Sequence, residues 1–222
     1  MKREDQDFLE KICNWYVKHG RYTLPWRNTV KAYNILIAEI MLQKTHAVEQ
    51  VLPVYKEFLK KYPNPEKLSE ADVNEIRETI CSLGLQNVRS RRFKKLGKKI
   101  EEQFNGKVPD TYDELVSLPG VGEYVANAVL CMAFSKKTVM VDANFGRVLG
   151  RMFYGKEEYP PSKNKIWRLA KELITDKQCK PFNLGIIDLG ALICRPQSPK
   201  CKQCLFEMEC IYSIQTKKAM TT

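Results

Sequence analysis

The sequence predicts an all-α protein, and three features support this fold class. Apolar residues recur at helical spacing in segments such as QDFLEKICNWYVKH and LSEADVNEIRETICSL, and a capping residue, Ser69, precedes the second run. Alternating strand patterns are scarce and short. Glycine and proline interrupt the helical pattern in YPNP and FNGKVPD, which are typical of loops. Helices of ordinary length predict about ten helices in a chain of this size.

The composition restricts the class of protein. A chain of 222 residues can form one or two domains, and 44% hydrophobic residues is ordinary for a globular protein. No apolar run approaches the roughly 20 residues that cross a bilayer, so we expect no membrane partner. The N-terminal MKREDQDFLEK mixes both charges, which argues against secretion. We therefore expect a cytoplasmic, nucleoid-associated protein, or a nuclear one in a eukaryote.

The net charge of +11 indicates a polyanionic partner. Seven basic residues and no acidic residue lie in RSRRFKKLGKK, residues 89–99. Such clusters attract phosphate backbones and release counterions on binding, although a solvated surface also carries them. Nucleic acid is the leading partner on charge alone, and an anionic membrane surface would select similar residues.

Four cysteines near the C-terminus form the most specific pattern in the chain. CRPQSPKCKQCLFEMEC separates them by six, two and five residues. In an intracellular chain this density indicates a metal site rather than disulfides, and both zinc and a four-iron cluster accept four sulfurs. A closed four-cysteine site leaves no open position for substrate, so we expect a structural role. The predicted ligands are Cys194, Cys201, Cys204 and Cys210. Small buried side chains are expected at Cys13, Cys81, Cys131 and Cys179.

The segment TYDELVSLPGVGEYVANAVLCMAF predicts a helix, a tight turn and a second helix. Thr111 and Glu114 form a capping box at the start of the first helix, and Pro119 ends it. Gly120 and Gly122 permit a tight turn with exposed backbone amides, and the N-terminus of the second helix adds positive potential. Such a hairpin binds phosphate without base specificity. A plain turn between two packed helices is the alternative.

Two carboxylates lie in apolar surroundings. Glu39 is the only charged residue in NILIAEIML, and Asp142 follows Val139 to Val141. Considered alone, Asp142 is typical of a helix N-cap, and Glu39 of a partner to a buried basic side chain. Together, two carboxylates in different environments are the usual equipment for cleaving a bond to an anomeric carbon, because the sugar develops oxocarbenium character.

In this combination and order, the motifs resemble those of the helix–hairpin–helix DNA glycosylases, the superfamily of endonuclease III and MutY. The resemblance extends over LPWR, AEIMLQKT, SLGLQNVRSRR, LPGVGEYVANAVL, VDANFGRV and the cysteine loop. It implies two all-α lobes with the substrate cleft between them. One lobe is a six-helix barrel, about residues 29–134, with the helix–hairpin–helix at about 111–134. The other combines residues 1–28 with 135–222 and holds a [4Fe-4S] cluster. A monomer is expected.

The resemblance also implies roles for individual residues. Asp142 matches the carboxylate that stabilises the oxocarbenium ion, and Glu39 matches the catalytic acid of the MutY type. Tyr124 stands where bifunctional members have a lysine that forms a Schiff base, so we expect base removal without strand cleavage. The residues expected to contact DNA are Gln43, Lys44, Leu85, Gln86, Asn87, Gly120, Val121, Gly122 and Asn144. Phosphate contact or simple solvation is expected for Arg89, Arg91 and Arg92.

Two alternatives remain for the base that is removed. LQNVR and VDANFGRV, with Tyr124, most resemble the archaeal-type mismatch glycosylases, which remove thymine or uracil opposite guanine. EIMLQKT with Glu39 resembles the MutY-type adenine glycosylases, which remove adenine opposite 8-oxoguanine or guanine. Those enzymes typically continue into a further domain, whereas this chain ends 12 residues after Cys210. We therefore expect thymine or uracil excision from double-stranded DNA that contains a mismatched or damaged base. A DNA-binding cluster protein without catalysis is the alternative from a different class.

Overall fold

The computed structural model describes residues 3–45, 48–155 and 163–221, and within these ranges the chain is helical and has no strand. The all-α prediction is confirmed. The described helices are α1 (Arg3–His19), α2 (Ala32–Leu42), α3 (Val48–Lys61), α4 (Pro65–Glu70), α5 (Val73–Thr79), α6 (Gln86–Phe104), α7 (Tyr112–Ser117), α8 (Glu123–Phe134), α9 (Ala143–Tyr154), α10 (Lys163–Leu173), α11 (Cys179–Leu192) and α12 (Ile211–Thr221). None of the described helices has the length and apolar character needed to cross a membrane.

The chain divides into two compact units. Unit 1 comprises Met1–Arg21 and Ser135–Thr222, and unit 2 comprises Tyr22–Phe134. The first boundary therefore comes before the expected one at 28/29. The reason is that Trp26 is 1% exposed and packs edge-to-face on Tyr55, with ring centroids 5.2 Å apart. The side-chain amide of Asn28 also donates to the carbonyl of Tyr22, which holds the two ends of this segment together.

In unit 2, α6 packs against α4 and α5, and α2 packs against α3 and α8. A Cβ at Gly97 of α6 would lie 2.7 Å from the backbone nitrogen of Ser69, so only glycine permits this approach of α6 to α4. The apolar side of α6 includes Phe93, which meets Phe58 of α3 at 4.9 Å between ring centroids. These contacts hold the first turn of α6 and the end of α2 in one packed unit.

In unit 1, α11 packs against α1 and α9, and α12 also packs against α9. A Cβ at Gly190 would lie 2.7 Å from Cβ of Asn144, so the absence of a side chain lets α11 approach the first turn of α9. Arg21 closes the end of α1 onto α11: its guanidinium lies 2.7 Å from the fully buried carboxylate of Asp188. The site around α9 is therefore built against α11.

The scattered cysteines follow the expectation with one exception. Cys13, Cys131 and Cys179 are buried, and burial raises the pKa of Cys13 to about 12. Cys81 is exposed, so the expectation of a buried side chain is wrong there. Cys81 begins a short 3-10 turn, Cys81–Leu83, in which Leu83 is the buried residue.

Candidate active site and cysteine loop

Asp142 is the N-cap of α9. One carboxylate oxygen accepts a hydrogen bond from the backbone N–H of Phe145 at 2.7 Å, and the other accepts from Nδ2 of Asn144 at 3.0 Å. Burial raises the pKa of Asp142, while these two hydrogen bonds and the charge of Arg147 act in the opposite direction. The carboxylate is therefore partly removed from water and held in one orientation.

The extended residues before Asp142 are fixed from α11. Asn183 is fully buried, and its Oδ1 accepts a hydrogen bond from the backbone nitrogen of Met140 at 2.7 Å. Its Nδ2 donates to the carbonyl of Thr138 at 2.8 Å. The side-chain amide thus satisfies backbone groups that have no strand partner, and it sets the course of the chain into Asp142.

Asn144 and Arg147 connect Asp142 to the cysteine loop. The guanidinium of Arg147 donates to Oδ1 of Asn144 at 2.7 Å and to the carbonyl of Gly190 at 2.8 Å. Its Nε donates to the carbonyl of Cys194 at 2.7 Å. Burial lowers the pKa of Arg147. Both ends of the Asn144 amide are therefore engaged within the protein, and its contact with DNA stays a prediction.

The cysteine loop is anchored by a second arginine of α9. Arg151 donates to the carbonyl of Arg195 at 2.6 Å and to that of Pro196 at 2.9 Å, and its guanidinium lies 4.8 Å from the ring centroid of Tyr212. One small cavity is lined by Arg151 and Tyr212 together with all four loop cysteines: Cys194, Cys201, Cys204 and Cys210. The loop is thus organised around a common cavity.

The described side chains do not converge on a single metal position. No group of three His, Cys, Asp or Glu residues in the described ranges is close enough to hold one ion. Burial raises the pKa of Cys204 to about 12 and also raises those of Cys201 and Cys210, so the protein surroundings favour neutral thiols. A metal centre is needed to hold such thiols as thiolates. Four thiols that line one cavity are a donor set that fits a metal centre with sulfur ligands.

Glu39 and Tyr124 both lie in unit 2. Glu39 is in the middle of α2 and is 4% exposed, as the apolar sequence around it predicts. Tyr124 is half-buried in the first turn of α8. Their roles as catalytic acid and cleft residue stay predictions.

The predicted helix, turn and helix around the glycines are confirmed. Thr111 is the N-cap of α7. The hydroxyl of Thr111 accepts a hydrogen bond from the backbone nitrogen of Glu114 at 3.4 Å and donates one to the carboxylate of Glu114 at 2.5 Å. Gly120 has φ +87°, and a Cβ there would lie 2.3 Å from Cδ of Arg92. Gly122 is exposed, with nothing within 4 Å of a Cβ position. Gly120 is therefore needed for both backbone conformation and space, whereas Gly122 leaves the start of α8 open.

The other residues expected to contact DNA lie on two strained turns. Lys44, exposed after α2, has φ +55°, and Leu85, the N-cap of α6, has φ +51° and is 61% exposed. A non-glycine residue in this left-handed region costs about 1–2 kcal/mol. Gln43 is half-buried, and its Nε2 donates to the carbonyl of Gly120 at 2.8 Å. Gln86 is half-buried and Asn87 is exposed.

The expectation for Arg89 is wrong. Its side chain is 5% exposed and donates to the carbonyls of Ile40 and Met41, each at 3.2 Å, and of Gln43 at 2.5 Å. The sequence carried a signal for this burial, because Arg89 shares a helical face with Phe93, four residues later. Arg91 is exposed, and the stem of Arg92 packs on Gly120.

Sequence reasoning also missed Asn183, Arg147 and Arg151. Two arginines four residues apart, on a helix that has no acidic residue between 143 and 154, were the signal for the pair in α9. A lone asparagine in the apolar α11 offered no comparable signal.

Comparison with known proteins agrees with the fold. The family profile described as HhH-GPD superfamily base excision DNA repair protein matches residues 37–175. A thymine/uracil-DNA glycosylase of Methanothermobacter thermautotrophicus is 40% identical over 206 residues, which cover 92% of each chain. An adenine DNA glycosylase of Buchnera aphidicola is 35% identical over 91% of this chain but only 57% of its own length. The structure of a thermostable thymine-DNA glycosylase superposes with a TM-score of 0.89 at 36% identity, covering 96% of this chain and 98% of that one. Because the profile spans more than half of the residues and these relatives align over nearly the whole sequence, the chain belongs to the HhH-GPD superfamily of base excision DNA repair proteins.

Proposed function

We propose that this protein is a monofunctional DNA glycosylase that hydrolyses the bond between deoxyribose and thymine or uracil in a mispair with guanine. The observation that carries the proposal is the oriented, partly desolvated carboxylate of Asp142 in a chain 40% identical to a thymine/uracil-DNA glycosylase. The partner is double-stranded DNA that contains the mispaired base.

The proposed reaction proceeds through a cationic sugar. The glycosidic bond breaks, the base leaves with the electron pair, and C1′ gains oxocarbenium character. Ionised Asp142 stabilises this charge, and its partial removal from water strengthens the interaction. The hydrogen bonds from Phe145 and Asn144 favour that ionised form. Water then adds its oxygen to C1′ and loses a proton, while the base gains one; Glu39 is the proposed group that donates this proton or orients the water.

Access to the target base requires its extrusion from the duplex. Unstacking costs a few kcal/mol and is least costly at a mismatch, which contributes to selectivity. In this proposal Gln43 and Lys44 fill the vacated stack, and residues 85–87 meet the orphaned guanine. The amides at Gly120 and Gly122 bind a phosphate of the backbone.

The proposal includes a [4Fe-4S] cluster held by the cysteine loop. Its support is the single cavity shared by the four cysteines, with Arg151 on the wall. Such a cluster supplies metal–sulfur bonds that cross-link the loop. Visible absorbance that dithionite or acid bleaches, with iron in the protein, would support this assignment; a colourless protein with bound zinc would contradict it.

A labelled duplex panel tests the substrate. The protein is incubated with T·G, U·G and A·8-oxoguanine duplexes, and alkali then cleaves the sites that have lost a base. We expect cleavage of the first two. The second candidate, adenine excision, is favoured by the 35% identity to an adenine DNA glycosylase, and cleavage of only the third duplex would establish it.

Trapping with borohydride tests the absence of strand cleavage. A phenol cannot form an imine with the sugar, so the parent protein should yield no trapped adduct with DNA. Tyr124→Lys places an amine in the first turn of α8 and is expected to yield one. An adduct with the parent protein would contradict the monofunctional assignment.

A further inference from the structure

Arg89 is an unusual cation for a basic, DNA-binding protein because it is turned inward. Only 5% of the residue is exposed, and in the described part of the chain its partners are backbone carbonyls and one hydroxyl, not a carboxylate. Burying a charge in this way is costly. Such a cost is expected to be retained where the geometry that it enforces matters for function.

The contacts of Arg89 fix the turn after α2. The carbonyls of Ile40 and Met41 lie in the last turn of α2, and Gln43 is its C-cap. Carbonyls at such a helix end lack the usual donor four residues later, so the guanidinium supplies hydrogen bonds that the helix does not. Nη2 of Arg89 also lies 3.3 Å from the hydroxyl of Thr45. These contacts flank Lys44, so they hold this strained residue from both sides.

The same side chain is one helical turn from the second strained position. The backbone nitrogen of Arg89 donates to the carbonyl of Leu85 at 2.9 Å, and Leu85 is in the left-handed conformation. The first turn of α6 therefore connects Leu85 rigidly to Arg89, and the guanidinium connects Arg89 to Gln43. Two exposed turns that are about 40 residues apart in sequence are joined through one buried group.

We infer that Arg89 is a positioning residue that makes the stack-filling turn, residues 43–45, and the turn that meets the orphaned base, residues 85–87, act as one rigid element. This inference rests on the proposed function. Filling the vacated stack and contacting the orphaned guanine then occur together, so each contact favours the other. Loss of Arg89 weakens extrusion of the base because the two turns no longer enter the duplex as a unit.

The same helix provides a matched control for a purely structural role. Lys94 of α6 also donates to backbone carbonyls, those of Ser69 and Ala71, each at 2.6 Å. Those carbonyls lie at the end of α4, away in sequence from both exposed turns. Arg89→Met and Lys94→Met therefore remove the same charge and the same kind of contact, but only the first uncouples the turns.

Fluorescence measures extrusion directly. A T·G duplex carries 2-aminopurine next to the target thymine, and its fluorescence rises when the neighbouring base leaves the stack. At saturating protein we expect Arg89→Met to reduce both this rise and the single-turnover excision rate about tenfold, as expected for lost charge-assisted hydrogen bonds. Lys94→Met should lower the melting temperature yet keep both values within about twofold of the parent. Equal fluorescence from the two variants would overturn the inference.

A milder variant and a coupling cycle complete the test. If Arg89→Met does not fold, Thr45→Val removes one partner of Arg89 and should reduce the fluorescence rise in the same direction. The effects of Gln43→Ala and Leu85→Ala on the fluorescence rise should be non-additive in the parent protein and additive in the Arg89→Met background. Additive effects in the parent protein would contradict coupling. If the parent excises no base, both the proposed function and this inference are overturned. If the parent excises normally and Arg89→Met and Lys94→Met give the same fluorescence rise, only the inference is overturned.

Discussion

Buried arginines organise both units of the chain, but they connect to different chemistry. In unit 1, Arg147 and Arg151 bond the cysteine loop, and Arg147 also reaches Asp142 through Asn144. In unit 2, Arg89 donates hydrogen bonds to backbone carbonyls at the end of α2, next to the exposed turns at Lys44 and Leu85. The comparison teaches that the same device, a buried guanidinium hydrogen-bonded to backbone carbonyls, lies next to the carboxylate network of Asp142 in unit 1 and beneath the exposed turns at Lys44 and Leu85 in unit 2. We therefore expect substitutions of Asp142 and Arg151 to change bond cleavage and the cysteine loop, and substitutions of Arg89 and the hairpin glycines to change DNA recognition.

The largest expected effect tests whether the chemistry depends on unit 1. Asp142→Asn keeps a good N-cap for α9 but removes the charge. We expect single-turnover excision from a T·G duplex to fall by about 10²–10⁴-fold, with duplex affinity retained. Equal, measurable rates for variant and parent would remove Asp142 from the mechanism, whereas no excision by the parent would support the DNA-binding protein without catalysis.

The next effect concerns the cysteine loop. Arg151→Met leaves the carbonyls of Arg195 and Pro196 without a donor, so we expect the free energy of unfolding to fall by about 3 kcal/mol. Iron should also be lost more readily to a chelator. Urea unfolding and the iron content of the purified protein measure both. Arg168→Met, at an exposed position of α10, is the control, and an equal result for the two variants would show that Arg151 does not organise the loop.

The next effect concerns the two glycines of the hairpin in unit 2, Gly120 and Gly122. Gly120→Ala forces a side chain onto φ +87° and into Arg92, so we expect about tenfold weaker duplex binding and a lower melting temperature. Gly122→Ala meets no atom within 4 Å and should keep the melting temperature. Fluorescence anisotropy in an Asp142→Asn background measures binding without turnover. If Gly120→Ala changes excision at saturation more than affinity, the division between recognition and chemistry is wrong.

The smallest effect is the pH dependence of stability. Burial raises the pKa of Asp142 above its ordinary value of 3.8, so the folded protein binds this proton more tightly than the unfolded chain. As pH rises from 3.8 through the raised pKa, the free energy of unfolding falls, and it stays lower above that interval. Asp142→Asn should therefore melt above the parent at pH 7, and the difference should shrink as pH falls toward 3.8. A difference in melting temperature that stays constant over this pH interval would contradict the prediction.

Features that depend on neighbours in sequence were predictable. The capping box at Thr111 and the glycine turn are local patterns, and the structure has the corresponding helices. The expected cap at Ser69 is wrong, because Ser69 lies inside α4 and Asp72 is the N-cap of α5. The N-cap position of Asp142 and the burial of Glu39 also follow from the few residues around each. The start of unit 2 was less predictable, because the assignment of Trp26 depends on its packing against Tyr55.

The sequence by itself determined the all-α fold, the hairpin and the spacing of the four loop cysteines, since each of these depends on residues that are close together in the chain. Only the tertiary structure decided what the buried polar groups do. Arg89 reaches a carbonyl 46 residues away, Arg147 one 47 residues away, and Asn183 a backbone nitrogen 43 residues away. A buried donor must find an acceptor wherever packing provides one, and packing brings together elements that the sequence keeps far apart.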